Sequence, residues 1–162
     1  MTSFEIAQVN ISRLKFALDS PEMAGFVGNL DAVNLSAETA DGFRWRLKAE
    51  VDPVSGEVGD ATTIPVYEDP ELIVNMSVWR DVESLTTWMY EARHRAVLTR
   101  RREWFDREPE PMTALWWVPA GHAPSVREAE ERLTHLRVHG PTAHAFTLTK
   151  RFDPPAPADA AH

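Results

Sequence analysis

Apolar and polar residues alternate in five short stretches of this chain and recur at helical spacing in three longer ones. "FEIAQVNI" (4–11) alternates and predicts a first strand. "DSPEMAGFVGNLDAVNLSAETA" (19–40) opens on Ser20-Pro21, a residue that caps a helix followed by one that fits its first turn. Met23, Phe26, Val27, Leu30, Val33 and Leu35 then follow at near-helical spacing. "GFRWRLKAEV" (42–51) sets Phe43, Trp45 and Leu47 against Arg44, Arg46 and Lys48, the pattern of a half-buried strand. Residues 52–71 are rich in Pro, Gly, Asp and Thr and read as loop.

"ELIVNMSVWRD" (71–81) predicts a strand with Leu72, Val74, Met76 and Val78 on one face and Ile73, Asn75, Ser77 and Trp79 on the other. Residues 81–105 predict a long helix opened by Asp81, with Glu83 and Ser84 in its first turn. "TALWWVPAG" (113–121) predicts a strand in which Trp116 and Trp117 face opposite sides. "APSVREAEERLTHLRVHG" (123–140) predicts a helix capped by Ser125, with Glu128 at capping-box spacing and a stop at Gly140-Pro141. "AFTLTKRF" (145–152) predicts a short last strand, and residues 153–162 a disordered tail.

The order is β-α-β-β-α-β followed by a helix and a strand. That is an α+β, ferredoxin-like protomer with a C-terminal extension, in one domain over residues 1–152. A four-stranded sheet with both helices on one side leaves its other face bare. Large residues point to both sides of these strands, so the pattern predicts a homodimer formed through the sheet faces.

The segment 81–105 carries two stripes. Leu85, Trp88, Met89, Ala92 and Ala96 form one, and Tyr90, His94, Arg101 and Phe105 form the other. At about 100° per residue, His94 points almost opposite Leu85. Either the helix breaks near Glu91–His94, or the extension 123–152 covers its second face. Arg93, Arg95, Arg100 and Arg102 read as solvated.

Composition narrows the choices. The 162 residues carry a formal net charge of −8, which opposes general nucleic-acid binding. There is no cysteine, so thiolate metal sites and cysteine nucleophiles are excluded. No apolar run reaches the roughly 18–20 residues that cross a bilayer, and the first residues do not read as a secretion signal. A cytoplasmic protein without a membrane partner is the expectation.

"AQVNISRLKFALDSPEMAGFVGNLDAVN", "LIVNMSVWRDVESL", "HRAVLTRRREWF", "LWWVPAGHAPSVREAEERLTHLRVHGP" and "AFT" resemble the DUF3291 family over about residues 4–152. The resemblance implies a dimeric α+β barrel, a superfamily shared with antibiotic-biosynthesis-type monooxygenases. It implies no particular reaction, because that superfamily holds cofactor-free oxygenases, haem-binding enzymes, isomerases and proteins without chemistry.

Candidate chemistry centres on Tyr90, His94 and Arg101, which share a helical face. His94 reads as a general acid/base, as an axial haem ligand, or as a histidine satisfied within the fold. Asn10, Asn75 and Ser77 are polar residues placed on strands, where they either line a pocket between sheet and helices or satisfy backbone at bulges. Trp45, Trp79 and Trp116 line an aromatic cavity for a small apolar or aromatic molecule, or build the core. His135 and His139 have the four-residue spacing of a metal pair, but no third ligand stands near them, and no metal is expected. The leading expectation is a monooxygenase-type enzyme without a tightly bound cofactor. A haem enzyme and a non-catalytic binding or structural protein are the alternatives.

Overall fold

A computed structural model describes residues 3–48, 64–93 and 101–155, except the side chains of 92 and 93. Strand β1 is Phe4–Leu14 and leads through a 3-10 turn, Pro21–Met23, into helix α1, Ala24–Glu38. Strands β2 (Phe43–Arg46) and β3 (Leu72–Trp79) follow, then helix α2, Val82–Arg93. A single helical turn α3 (Arg101–Trp104) runs into β4 (Phe105–Asp106), and β5 (Thr113–Pro119) and α4 (Val126–His139) complete the described elements.

The sheet is antiparallel in the order β2-β3-β1-β5, with β4 continuing the β5 side of β1. That is the ferredoxin-like order, and α1 and α2 are its two crossovers. Even-numbered residues of β1 face these helices. Ile6 pairs with Trp79 and Trp117, and this side packs with Ala37 of α1 and Val82 and Leu85 of α2. Odd-numbered residues face the other way, where Ala7, Val9 and Ile11 join Val74, Met76, Val78, Ala114, Trp116 and Val118.

The expected bare face is not bare. Its apolar residues are buried within one chain, beneath Ala129, Leu133 and Leu136 of α4 and beside Val66, Ile64 and Tyr67. The stripe on α4 has the three- and four-residue spacing that lays one helix side on a sheet. The C-terminal extension therefore divides. Its helix covers the sheet face opposite α2, and the coil beyond it brings Phe146, Leu148 and Phe152 round to Trp117 on the α2 side.

Three expected elements come out differently. Residues 145–152 form no strand: Phe146 makes one bridge to Leu115, and the chain then turns, with Lys150 N–H donating back to Thr147. Phe105 is not helical, because it pairs with Leu14 and meets Phe26 edge-on at 5.0 Å. Phe43, Trp45 and Leu47 do not share a face. A register shift between Phe43 and Trp45 leaves Phe43 against Trp79 and turns Trp45 and Leu47 to the α4 side. Of the expected break at Glu91–His94, Glu91–Arg93 are still helical and His94 lies outside the described residues, as do residues 49–51 of the expected strand and the tail beyond 155.

Asp81 starts α2 by accepting the Ser84 N–H at 2.8 Å. Hydrogen bonds from Ser84, with help from Arg80, hold its carboxyl below the usual aspartate value against the opposing effect of burial. A lowered folded-state pKa adds stability that is complete above the unfolded value and is lost as pH falls through the folded one. Asp81→Ala should therefore cost about 1 kcal/mol near neutral pH. The difference should shrink toward about pH 3 in urea unfolding, and an equal difference at both pH values would count against this role.

Candidate functional site

Helix-facing positions in the middle of the sheet are polar. Gln8, Asn10 and Ser12 follow one another at even positions of β1, with Ser77 opposite Gln8 and Asn75 opposite Asn10 on β3. Thr113 of β5 stands on the other side of Asn10. Gln8 and Ser77 are buried. Gln8 Nε2 donates to Ser77 Oγ at 2.7 Å and to Asn75 Oδ1 at 3.1 Å. Trp79 Nε1 donates to the same Ser77 Oγ at 2.8 Å, and Thr113 Oγ1 donates to Asn10 Oδ1 at 2.9 Å.

This network uses the carbonyl oxygens of both asparagines. Among the described residues, neither Nδ2 amide takes part in a hydrogen bond, and Asn75 is exposed. Two amide donors on directly opposed strand residues are thus available for an acceptor on a ligand. Directly opposed Cβ atoms lie only about 4.5–5.5 Å apart, close enough for both amides to reach one oxygen-bearing group.

Aromatic residues flank the patch at both ends. Trp79 stacks on Trp88 at 5.5 Å and meets Phe43 edge-on at 5.5 Å. Trp88 Nε1 donates to Ser36 Oγ at 3.1 Å, which ties α2 to α1. At the other end Phe26 contacts Trp104 and Phe105 at 5.7 and 5.0 Å.

The expected site residues separate into groups. Asn10, Asn75, Ser77 and Trp79 come together on the helix-facing side. Trp45 and Trp116 lie on the opposite face, where Trp116 is buried and donates to Glu128 Oε2 at 2.9 Å. Tyr90 is 66% exposed on α2. Arg101 is exposed and lines a cleft with Phe105 at the edge of β1, and Tyr90 is not among the residues of that cleft. His94 lies outside the described residues, so haem ligation, which rests on it, has no support from them.

Gln8 and Ser12 were not among the expected site residues, although the polar run at positions 8, 10 and 12 against apolar 7, 9 and 11 marks them.

His135 packs on His139 and His144 at ring distances of 4.4 and 4.6 Å, and His144 Nε2 lies 2.8 Å from Glu131. Burial, followed by the neighbouring imidazoles, pushes the His135 pKa down. Among the described residues, no group of three or more His, Cys, Asp or Glu is arranged to hold a metal ion. No helix among them is long and apolar enough to cross a membrane.

A family model described as "Domain of unknown function (DUF3291)" matches residues 5–161. No curated protein matches the chain. Among solved structures, SnoaB from Streptomyces nogalater, a cofactor-independent oxygenase, is similar at 14% identity with a TM-score of 0.43, over 75% of this chain and 97% of that one. NE2512 from Nitrosomonas europaea, a protein of unknown function, is similar at 10% identity with a TM-score of 0.43, over 75% of this chain and 94% of that one. At such identities and scores the likeness says nothing about activity.

Proposed function

The chain belongs to the DUF3291 family, and from that membership and the geometry of its sheet we propose a small-molecule enzyme of monooxygenase type that works without a tightly held cofactor. The observation that carries this reading is the pair of unengaged amides on Asn10 and Asn75, side by side on neighbouring strands and held by the Gln8–Ser77–Trp79 network.

The substrate class that suits such a site is an enolizable aromatic ketone. Its carbonyl oxygen accepts from the two amides, and its ring lies toward the Trp79–Trp88 stack. Removing a proton from the CH₂ beside the carbonyl places charge on that oxygen, where the amide donors stabilise it. The resulting enolate reduces O₂, forming a C–O bond and a hydroperoxide. Loss of water from the hydroperoxide leaves a new C=O, so the balance is CH₂ + O₂ → C=O + H₂O. His94 takes the proton in this reading, on sequence grounds. Tyr90 and Arg101 are assigned to orienting the substrate on the same grounds.

The test is oxygen uptake by the purified full chain with a panel of 1-tetralone, 2-tetralone and 1-indanone, each with a CH₂ beside its carbonyl. At least one should be turned over, and Asn75→Ala should lower kcat about 100-fold, the usual cost of one oxyanion donor. Binding that quenches tryptophan fluorescence without any oxygen uptake would instead support the non-catalytic binding protein, a reading favoured by the exposure of Tyr90. Neither uptake nor quenching with any member would overturn both.

A further inference from the structure

The polar row on β1 runs past Asn10 to Ser12. Ser12 is only 9% exposed, and among the described residues its hydroxyl makes no hydrogen bond. That hydroxyl is not sealed inside the core, so what it faces matters. Ser12 lines a cleft of about 310 Å³ at the edge of the sheet. Chain connectivity opens this cleft. β4 pairs with β1 up to Arg13 and β5 begins opposite Asn10, so the six residues 107–112 stand opposite only Ile11 and Ser12 and must loop outward.

The cleft sets three arginines among three carboxylates on a chain that is acidic overall. Arg101, Arg102 and Arg107 line it, and among the described residues none of the three is paired with a carboxylate. Three carboxylates line it too, but two are engaged elsewhere. Glu108 is bound to Arg13, and Glu110 lies 3.4 Å from Arg137. Glu108 shares Arg13 with Asp69 and Glu71, so what the cleft offers an anion is its three guanidinium groups that pair with no carboxylate among the described residues. Phe105 and Met112, both only partly buried, supply apolar surface in the same cleft.

We propose that this cleft binds a small organic oxyanion, a carboxylate or a phosphate monoester. Its charged group rests on Arg101, Arg102 and Arg107 and accepts the Ser12 hydroxyl, and its apolar body lies on Phe105 and Met112. Guanidinium groups suit this task because their paired N–H donors match the oxygens of both anions. The Ser12 hydroxyl then acquires the acceptor that the protein does not provide. This site shares Arg101 with the proposed oxygenase but neither asparagine of the pair, and it stands whether or not that pair serves an oxygenase.

The experiment is calorimetric titration of the full chain at low ionic strength with benzoate, phenyl phosphate and inorganic phosphate. Benzoate or phenyl phosphate should bind saturably at one site per chain, and whichever binds more tightly identifies the anion. The double variant Arg101→Gln/Arg107→Gln should weaken binding about tenfold or more. Ser12→Ala should weaken it about threefold. Asn75→Ala should leave it unchanged, which separates this site from the oxygenase reading. The arginines are exposed, and a circular dichroism spectrum of the double variant checks that it folds. Absence of saturable binding, equal affinity in the double variant, or inorganic phosphate binding as tightly as phenyl phosphate would each overturn the proposal.

Discussion

Trp79→Ala should lower the unfolding free energy by about 3–5 kcal/mol, the range for truncating a large aromatic in a core. Trp79 is fully buried, stacked on Trp88 and edge-on to Phe43, and its strand position pairs with Ile6 at the centre of the sheet. It therefore joins β2, β3 and α2 in one contact. Alanine leaves a cavity that Phe43 and Trp88 cannot both fill, because each is anchored elsewhere, Trp88 by its bond to Ser36. The indole N–H donated to Ser77 is also lost. Trp79→Phe keeps most of the ring contact and loses that donor, so its cost should lie well below that of alanine. Denaturant unfolding followed by fluorescence and circular dichroism measures both. An alanine variant within about 1 kcal/mol of the parent would mean that this aromatic cluster does not organise the core.

Gly42→Ala should cost about 2–5 kcal/mol, from two separate sources. The first is conformational: Gly42 has φ +86°, a region that a residue with a Cβ adopts only under strain. The second is steric. A Cβ placed there would lie 2.2 Å from Ser84 Oγ and 2.5 Å from Ser84 Cβ, at the start of α2. The turn cannot back away easily, because the Arg80 N–H donates to the Gly42 carbonyl at 2.7 Å. Adding Ser84→Gly removes the clash and leaves the strain. The double variant should recover about half of the loss once the cost of Ser84→Gly alone is subtracted. Full additivity of the two substitutions would show that the clash does not occur.

How far these features were readable in advance depends on whether a local rule reaches them. Alternation located β1, β3 and β5 and set Trp116 and Trp117 on opposite faces, because side-chain direction in a strand follows a period of two. Ser125 capping α4 was readable from the spacing to Glu128, and its Oγ accepts that residue's N–H at 3.1 Å. Asn10, Asn75 and Ser77 stood out because asparagine and serine are unfavourable in strand interiors unless something uses their polar groups. The same period breaks at Trp45, where a register shift turns the side chain over, and no composition signal marks that shift.

The sequence alone therefore determined the element order, the ferredoxin-like strand pattern and the polar row on one face of β1 and β3. These follow from periodicity, which is carried by neighbours along the chain. Only the tertiary structure decided that α4 covers the sheet face opposite α2, that Trp45 and Trp116 lie away from the asparagines, and that three arginines meet Ser12 in a cleft at the edge of β1. An amphipathic helix such as α4 records that it has an apolar side to bury, but not which of two apolar sheet faces it will bury it against. The arginine cleft depends on where β4 stops and β5 begins, and a six-residue loop opposite two strand residues is a property of pairing rather than of any one segment.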